Sequence, residues 1–286
     1  MTHSTRLALA ARIQELYDTP AGARLAGDAE QIVNMLLALL EAGEARAAER
    51  GEDGAWRAVP WVKQGILVAF RAGRTVEHGP RGPGSFAYLD KHTIPLRVLT
   101  EADAVRTVPG GSSIRRGAFI AQGVVCMPPM FINVGAYVGA GTMIDSHALV
   151  GSCAQIGERV HLSAAAQIGG VLEPINAAPV ILEDDVIVGG NCGVYEGTIV
   201  REKAVLGAGV VLTRGTPVHD LVREQVYRAA GERPLEIPAG AVVVPGARAV
   251  RSVWGAAHGL SLQTPVIVKY RDAKTDVATA LENWLR

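Results

Sequence analysis

The chain runs to 286 residues, 49% of them hydrophobic and 20% charged, a composition that excludes a disordered polymer and can fill one large core or two ordinary ones. Twenty-eight Lys and Arg balance twenty-eight Asp and Glu, which argues against a surface built for nucleic acid or an anionic membrane. Apolar runs such as 65–70 fall far short of the roughly 20 residues a bilayer span requires, and Arg6, Arg12, Glu15, Asp18 and Arg24 interrupt any signal-peptide core.

In chain order, residues 1–105 read as an α/β cap. Asp28 opens a helical stretch in which Ile32, Met35, Leu36, Leu39 and Leu40 recur at helix spacing, and Gly43 is a natural stop. WVKQGILVAFR, residues 61–71, fits a buried helix or a strand, and its period does not decide. EHGPRGPGS, residues 77–85, reads as a loop.

From Ile114 the pattern changes. Apolar residues fall at every sixth position: Ile114, Ile120, Cys126, Ile132, Val138, Ile144, Val150, Ile156, Leu162 and Ile168. The period resumes two residues out of frame at Leu182, Val188, Val194, Val200, Leu206 and Leu212, with a last copy at Ile237 and Val243. A step of six walks around an α-helix and keeps no face. The pattern predicts a hexapeptide solenoid over 106–250, in which three units close a coil and each inward side chain stacks on the one a coil away. Glycine follows the inward residue at 139, 151, 157, 169, 189 and 207, at the expected corners. The slip before Leu182 makes GGVLEPINAAP, residues 169–179, a bulge of the kind that holds partners and substrates. A polar, mixed-charge stretch covers 220–232. The tail, 251–286, reads as a strand from Val266 followed by a short helix.

A solenoid by itself names no reaction. Only His147 and His161 fall in the ladder, and their spacing does not stack them, so a site of three imidazoles around a metal is not expected. Cys126, Cys153 and Cys192 form no CxxC pair, which predicts reduced thiols and a cytoplasmic address. Cys153 and Cys192 read as packed side chains rather than nucleophiles.

VGAGTMIDSHALVGSCAQIGERVHLSAAAQIGGVLEP, residues 138–174, together with IRRGAFIA (114–121), FINVGAYV (131–138), EIPAGAVVVPG (236–246) and TPVIVKYRDAKTD (264–276), resembles the tetrahydrodipicolinate N-succinyltransferase family. The likeness reaches the cap through 40–71. It implies a mainly β fold, a left-handed parallel β-helix with an α/β N-terminal cap, assembled as a homotrimer with sites between neighbouring solenoids. It also implies acyl transfer from succinyl-CoA, a co-substrate and not a resident cofactor, to a dicarboxylic acceptor of lysine and diaminopimelate synthesis, without metal, nucleic acid or membrane.

Asp145 in TMIDSH matches the family's acidic site residue. Arg106 in VRTVPGG matches its arginine for an acceptor carboxylate, a task suited to a guanidinium fork. Glu196 matches a later family glutamate and is the second catalytic candidate. Asn191, Lys269, Arg271 and Lys274 are candidates for CoA contact. The chain also departs from the family: where the usual enzyme reads Gly-Ala-Arg-Ser-Glu before Val-Val-Glu-Gly, this chain reads GGNCGVYEG, residues 189–197. Asn191, Cys192 and Gly193 thus replace Arg, Ser and Glu. A succinyl carboxylate then needs another cation, and Arg115, Arg116 and Arg201 are the nearest in sequence. His147 replaces a family tryptophan and reads as pocket wall. Acetyl-CoA as donor, on the same or a related amino acid, and a non-catalytic trimer that binds a metabolite remain the alternatives. Trimerisation is expected through ladder faces of small residues, among them Ala148, Ala154, Ala164, Ala165 and Ala166.

Overall fold

The computed structural model describes residues 3–79 and 88–271. Three helices, α1 (His3–Tyr17), α2 (Ala29–Glu41) and α3 (Pro60–Ala72), build the cap. Asp28 immediately precedes α2, and Gly43, at φ 71°, turns the chain away from its end. Residues 61–71 are helical: Pro60 sits in the first turn of α3, where its missing N–H goes unfelt, and Val62, Ile66, Val68 and Ala69 are fully buried. Gly65 permits close approach of the helices, since a Cβ there would lie 2.3 Å from the Leu36 side chain. α1 is hidden in the sequence because alanines on its other faces blur the stripe of Leu9, Ile13 and Leu16. Glu77 and His78 are not loop but the end of a strand, Thr75–His78, paired antiparallel with Tyr88–Lys91; residues 80–85 lie outside the described chain.

Beyond the cap, two-residue strands alternate with corners and stack in parallel into three faces. The first face carries Phe119–Ile120, Tyr137–Val138, Gln155–Ile156, Ile181–Leu182, Ile199–Val200 and Glu236–Ile237. The second runs from Arg106–Thr107 through Val125–Cys126, Met143–Ile144, His161–Leu162 and Ile187–Val188 to Val205–Leu206. The third runs from Ser113–Ile114 through Phe131–Ile132, Leu149–Val150, Gln167–Ile168 and Gly193–Val194 to Val211–Leu212. Each ladder residue up to Ile237 is the inward, second member of its strand, and Val243 joins the stack beside Leu206. Ile114 pairs with Ile132, Ile132 with Val150 and Val150 with Ile168. Each such side chain contributes on the order of 1.5–3 kcal/mol by leaving water.

The corners differ from expectation in one respect. Left-handed backbone falls three residues after the inward position, at Gly117, Gly135 and Gly141 but also at His147, Cys153 and Asn191. The glycines directly after the inward residues serve close packing of coils instead: a Cβ on Gly139 would lie 2.5 Å from the carbonyl of Gly157.

Between Gln155 and its partner Ile181 the step lengthens from eighteen residues to twenty-six, and 169–179 leaves the stack as the expected bulge. A second insertion separates Ile199 from Glu236 and contains an antiparallel pair, Val218–Asp220 with Gln225–Tyr227, inside the stretch that reads only as polar. The tail strand is longer than the sequence suggests: Ser261–Tyr270 pairs antiparallel with Ala241–Ala249. The short helix expected after it lies outside the described residues.

The cap covers the first face. Ala48 and Trp56 pack on Ile181 and Ile199, and the Arg46 guanidinium stacks 3.6 Å from the centre of the Tyr137 ring. The second and third faces leave Met143, Ile187, Phe131, Leu149 and Val211 partly or largely exposed. The alanines expected on a free face are mostly elsewhere. Ala148, Ala154 and Ala166 are at most 2% exposed inside the solenoid, and only Ala164 and Ala165 of that set reach the surface.

Candidate functional site

Arg106 is exposed on the edge strand of the second face, and Asp145 directly follows Met143–Ile144 two strands along the same face. Asp145 is half-buried. Its Oδ1 accepts the Ser146 N–H at 2.7 Å, and Oδ2 has no hydrogen-bond partner among the described residues. His147 projects from the adjoining corner with φ 62°.

Glu196 lies on a different face, just after Gly193–Val194, where Oε2 accepts the Arg214 N–H at 2.8 Å. It borders a cavity of about 1190 Å³ between the bulge and the cap, walled also by Trp56, Pro60, Glu173, Tyr195 and Arg214. Within one chain, then, Asp145 and Glu196 stand on separate faces.

The bulge is tied to the cap by Lys63. This side chain is fully buried on α3 and donates to the Ala177 carbonyl at 2.5 Å and the Pro174 carbonyl at 3.5 Å. Burial pushes its pKa below the usual lysine value. Nothing in the residue order marks it, because its partners lie more than a hundred residues away.

Asn191 occupies an exposed corner at φ 56°, a conformation asparagine tolerates better than most residues. Lys269 is exposed on Ser261–Tyr270, while Arg271 donates from Nη1 to the carbonyls of Asp185 at 3.1 Å and Lys203 at 3.4 Å, linking the corners of successive coils. Lys274 lies outside the described residues. The three cysteines are buried, and burial pushes the Cys126 and Cys153 thiols up to about 12 and raises Cys192 as well. Such thiols pack; they do not attack.

The arginines nearest in sequence to the missing family cation are already engaged. Arg115 pairs with Asp90, Arg116 with Glu41 at 3.1 Å, and Arg201 with Glu236 at 2.7 Å and Glu183 at 2.9 Å. Arg214, in the cavity, is the cation the sequence does not single out. Its guanidinium donates to the Gly231 carbonyl and has no carboxylate partner among the described residues. Among those residues no three His, Cys, Asp or Glu side chains gather as a metal-binding set, and no helix is long and apolar enough to cross a membrane.

Residues 8–72 match the profile of the tetrahydrodipicolinate N-succinyltransferase N-terminal family, and 179–214 match that of the hexapeptide repeat of succinyl-transferase. The chain is 44% identical over 264 residues to the 2,3,4,5-tetrahydropyridine-2,6-dicarboxylate N-succinyltransferase of Nitrobacter winogradskyi, covering 91% of each chain. It is 42% identical over 285 residues to the protein of that name from Bradyrhizobium diazoefficiens, covering 98% of each. A crystal structure of a hexapeptide transferase family protein from Anaplasma phagocytophilum aligns with 64% of this chain and 84% of its own, at 14% identity and a TM-score of 0.43. With a cap and a coil stack that each match in their own segment, and with identity sustained almost end to end, the chain belongs to the tetrahydrodipicolinate N-succinyltransferase family, and its solenoid is that family's left-handed parallel β-helix.

Proposed function

We propose that the chain transfers a succinyl group from succinyl-CoA to the amine of tetrahydrodipicolinate in its opened, amino-oxopimelate form. The observation that carries this reading is the 44% identity sustained over 91% of the chain. In the reaction the amine nitrogen attacks the thioester carbon, the C–S bond breaks, the amine loses a proton and CoA leaves as its thiol. Such a transfer needs a base at the nitrogen, donors for the oxyanion and a fixed approach of the two reactants. Asp145 suits the base, because Oδ2 is uncommitted while Oδ1 is held. Arg106, along the same face, suits an acceptor carboxylate. Glu196 sits on another face, which fits a homotrimer whose sites lie between neighbouring solenoids. Asn191, Lys269, Arg271 and Lys274 are the proposed contacts for CoA. Three buried, unpaired thiols suit a reducing compartment, and we place the protein in the cytoplasm on that ground.

Acetyl-CoA stays the comparison donor because Arg115, Arg116 and Arg201 are all engaged. Steady-state CoA release, measured with both thioesters against the same acceptor, tests the reading. Succinyl-CoA should give the higher kcat/KM by about tenfold or more, equivalent to about 1.4 kcal/mol in the transition state. The reverse preference makes the chain an acetyltransferase, and no release from either leaves a metabolite-binding trimer.

A further inference from the structure

Tyr195 lines the cavity beside Glu196, and its ring doubles back along the third face over two glycines of neighbouring coils. A Cβ on Gly193 would lie 2.4 Å from ring carbon Cε2 and 2.9 Å from the hydroxyl; a Cβ on Gly169 would lie 2.7 Å from Cδ1. No larger residue fits at either place without lifting the ring. The hydroxyl therefore stands where a side chain at 193 would begin, and it has no hydrogen-bond partner among the described residues. Two departures from the usual family stretch meet here in space. The glutamate is lost at Gly193, the second valine becomes Tyr195, and the ring fills what the shorter residue vacates. An ionised carboxylate only accepts hydrogen bonds, whereas a phenol donates as well.

We propose that Tyr195 is a substrate-contacting residue whose hydroxyl hydrogen-bonds a polar atom of the acyl donor or the acceptor, and that Gly169 and Gly193 are positioning residues that seat its ring. This rests on the acyltransferase reading. Tyr195→Phe keeps the ring and removes the hydroxyl. It should lower kcat/KM about 3- to 10-fold, the range for one neutral hydrogen bond, through the KM of whichever substrate the hydroxyl touches, with the melting temperature unchanged. Varying succinyl-CoA and tetrahydrodipicolinate in turn tells the two apart. Gly193→Ala, which lifts the ring, should lose at least as much, and the double variant should lose less than the product of the single losses. A Tyr195→Phe protein whose kcat and both KM values stay within about twofold of the unaltered enzyme overturns the assignment. Should the unaltered protein release no CoA, the acyltransferase reading fails first, and calorimetric titration with each substrate then decides the tyrosine. Weaker binding to Tyr195→Phe keeps it as a ligand contact; equal or absent binding removes it.

Discussion

Asp145 carries the chemistry proposed for this chain through a single uncommitted oxygen. Asp145→Asn keeps the shape and the acceptor for the Ser146 N–H, so the variant should fold with an unchanged melting temperature and lose turnover by roughly 10²-fold or more. Near-normal kcat in that variant would move the base elsewhere, with Glu196 next in line. At this scale the sequence is a partial guide. TMIDSH marks Asp145 because the surrounding stretch resembles the family's even with His147 in place of its tryptophan, but whether an arginine is free depends on partners far along the chain. Arg116 meets Glu41 and Arg115 meets Asp90 through folding alone, and no local pattern announces either pair. Asn191 reads as a ligand-side substitution, and its corner backbone, at φ 56°, is one that asparagine tolerates.

The bulge at 169–179 and α3 are joined by Lys63, and the cavity beside Glu196 takes its wall from that joint. Lys63→Met fills the same space without a donor and orphans two carbonyls. It should cost about 1–3 kcal/mol by urea unfolding, and a loosened bulge should raise KM for acyl transfer more than it lowers kcat. A variant as stable as the unaltered protein would show that water replaces the ammonium at no cost. The ladder elements were legible because every inward residue repeats one environment, so period six survives any outward variation. The bulge was legible only as a break in that period. Val218–Asp220 and Gln225–Tyr227 were not, since a single hairpin in a polar stretch repeats nothing.

Taken whole, the molecule is asymmetric around its solenoid. The cap shields the first face, while Phe131, Leu149 and Val211 on the third, and Met143 and Ile187 on the second, leave apolar surface to water in the single chain. Apolar stripes along two faces of a triangular rod suit a closed ring of three better than a pair. Sedimentation equilibrium should return three times the chain mass at micromolar concentration; a stable monomer would remove both the trimer and the shared site that depends on it. Ala148 and Ala154, buried inside the solenoid, have no surface to lend to such an assembly.

The lengthened step at the bulge also bears on how the chain could drift. Strands in adjacent coils meet eighteen residues apart, as Tyr137 meets Gln155, and the bulge stretches one such step to twenty-six. Loop-closure entropy grows only with the logarithm of length, so that detour adds about 0.3 kcal/mol to the assembly of its coil. Because the stack resumes in register beyond it, the length of 169–179 costs little in loop entropy away from its fixed points, Gly169 under Tyr195 and the Pro174 and Ala177 carbonyls held by Lys63, whereas a single insertion inside the ladder would turn every later inward side chain out of the core. A change of chain length is therefore cheap between the fixed points of the bulge and costly in the rod that carries it.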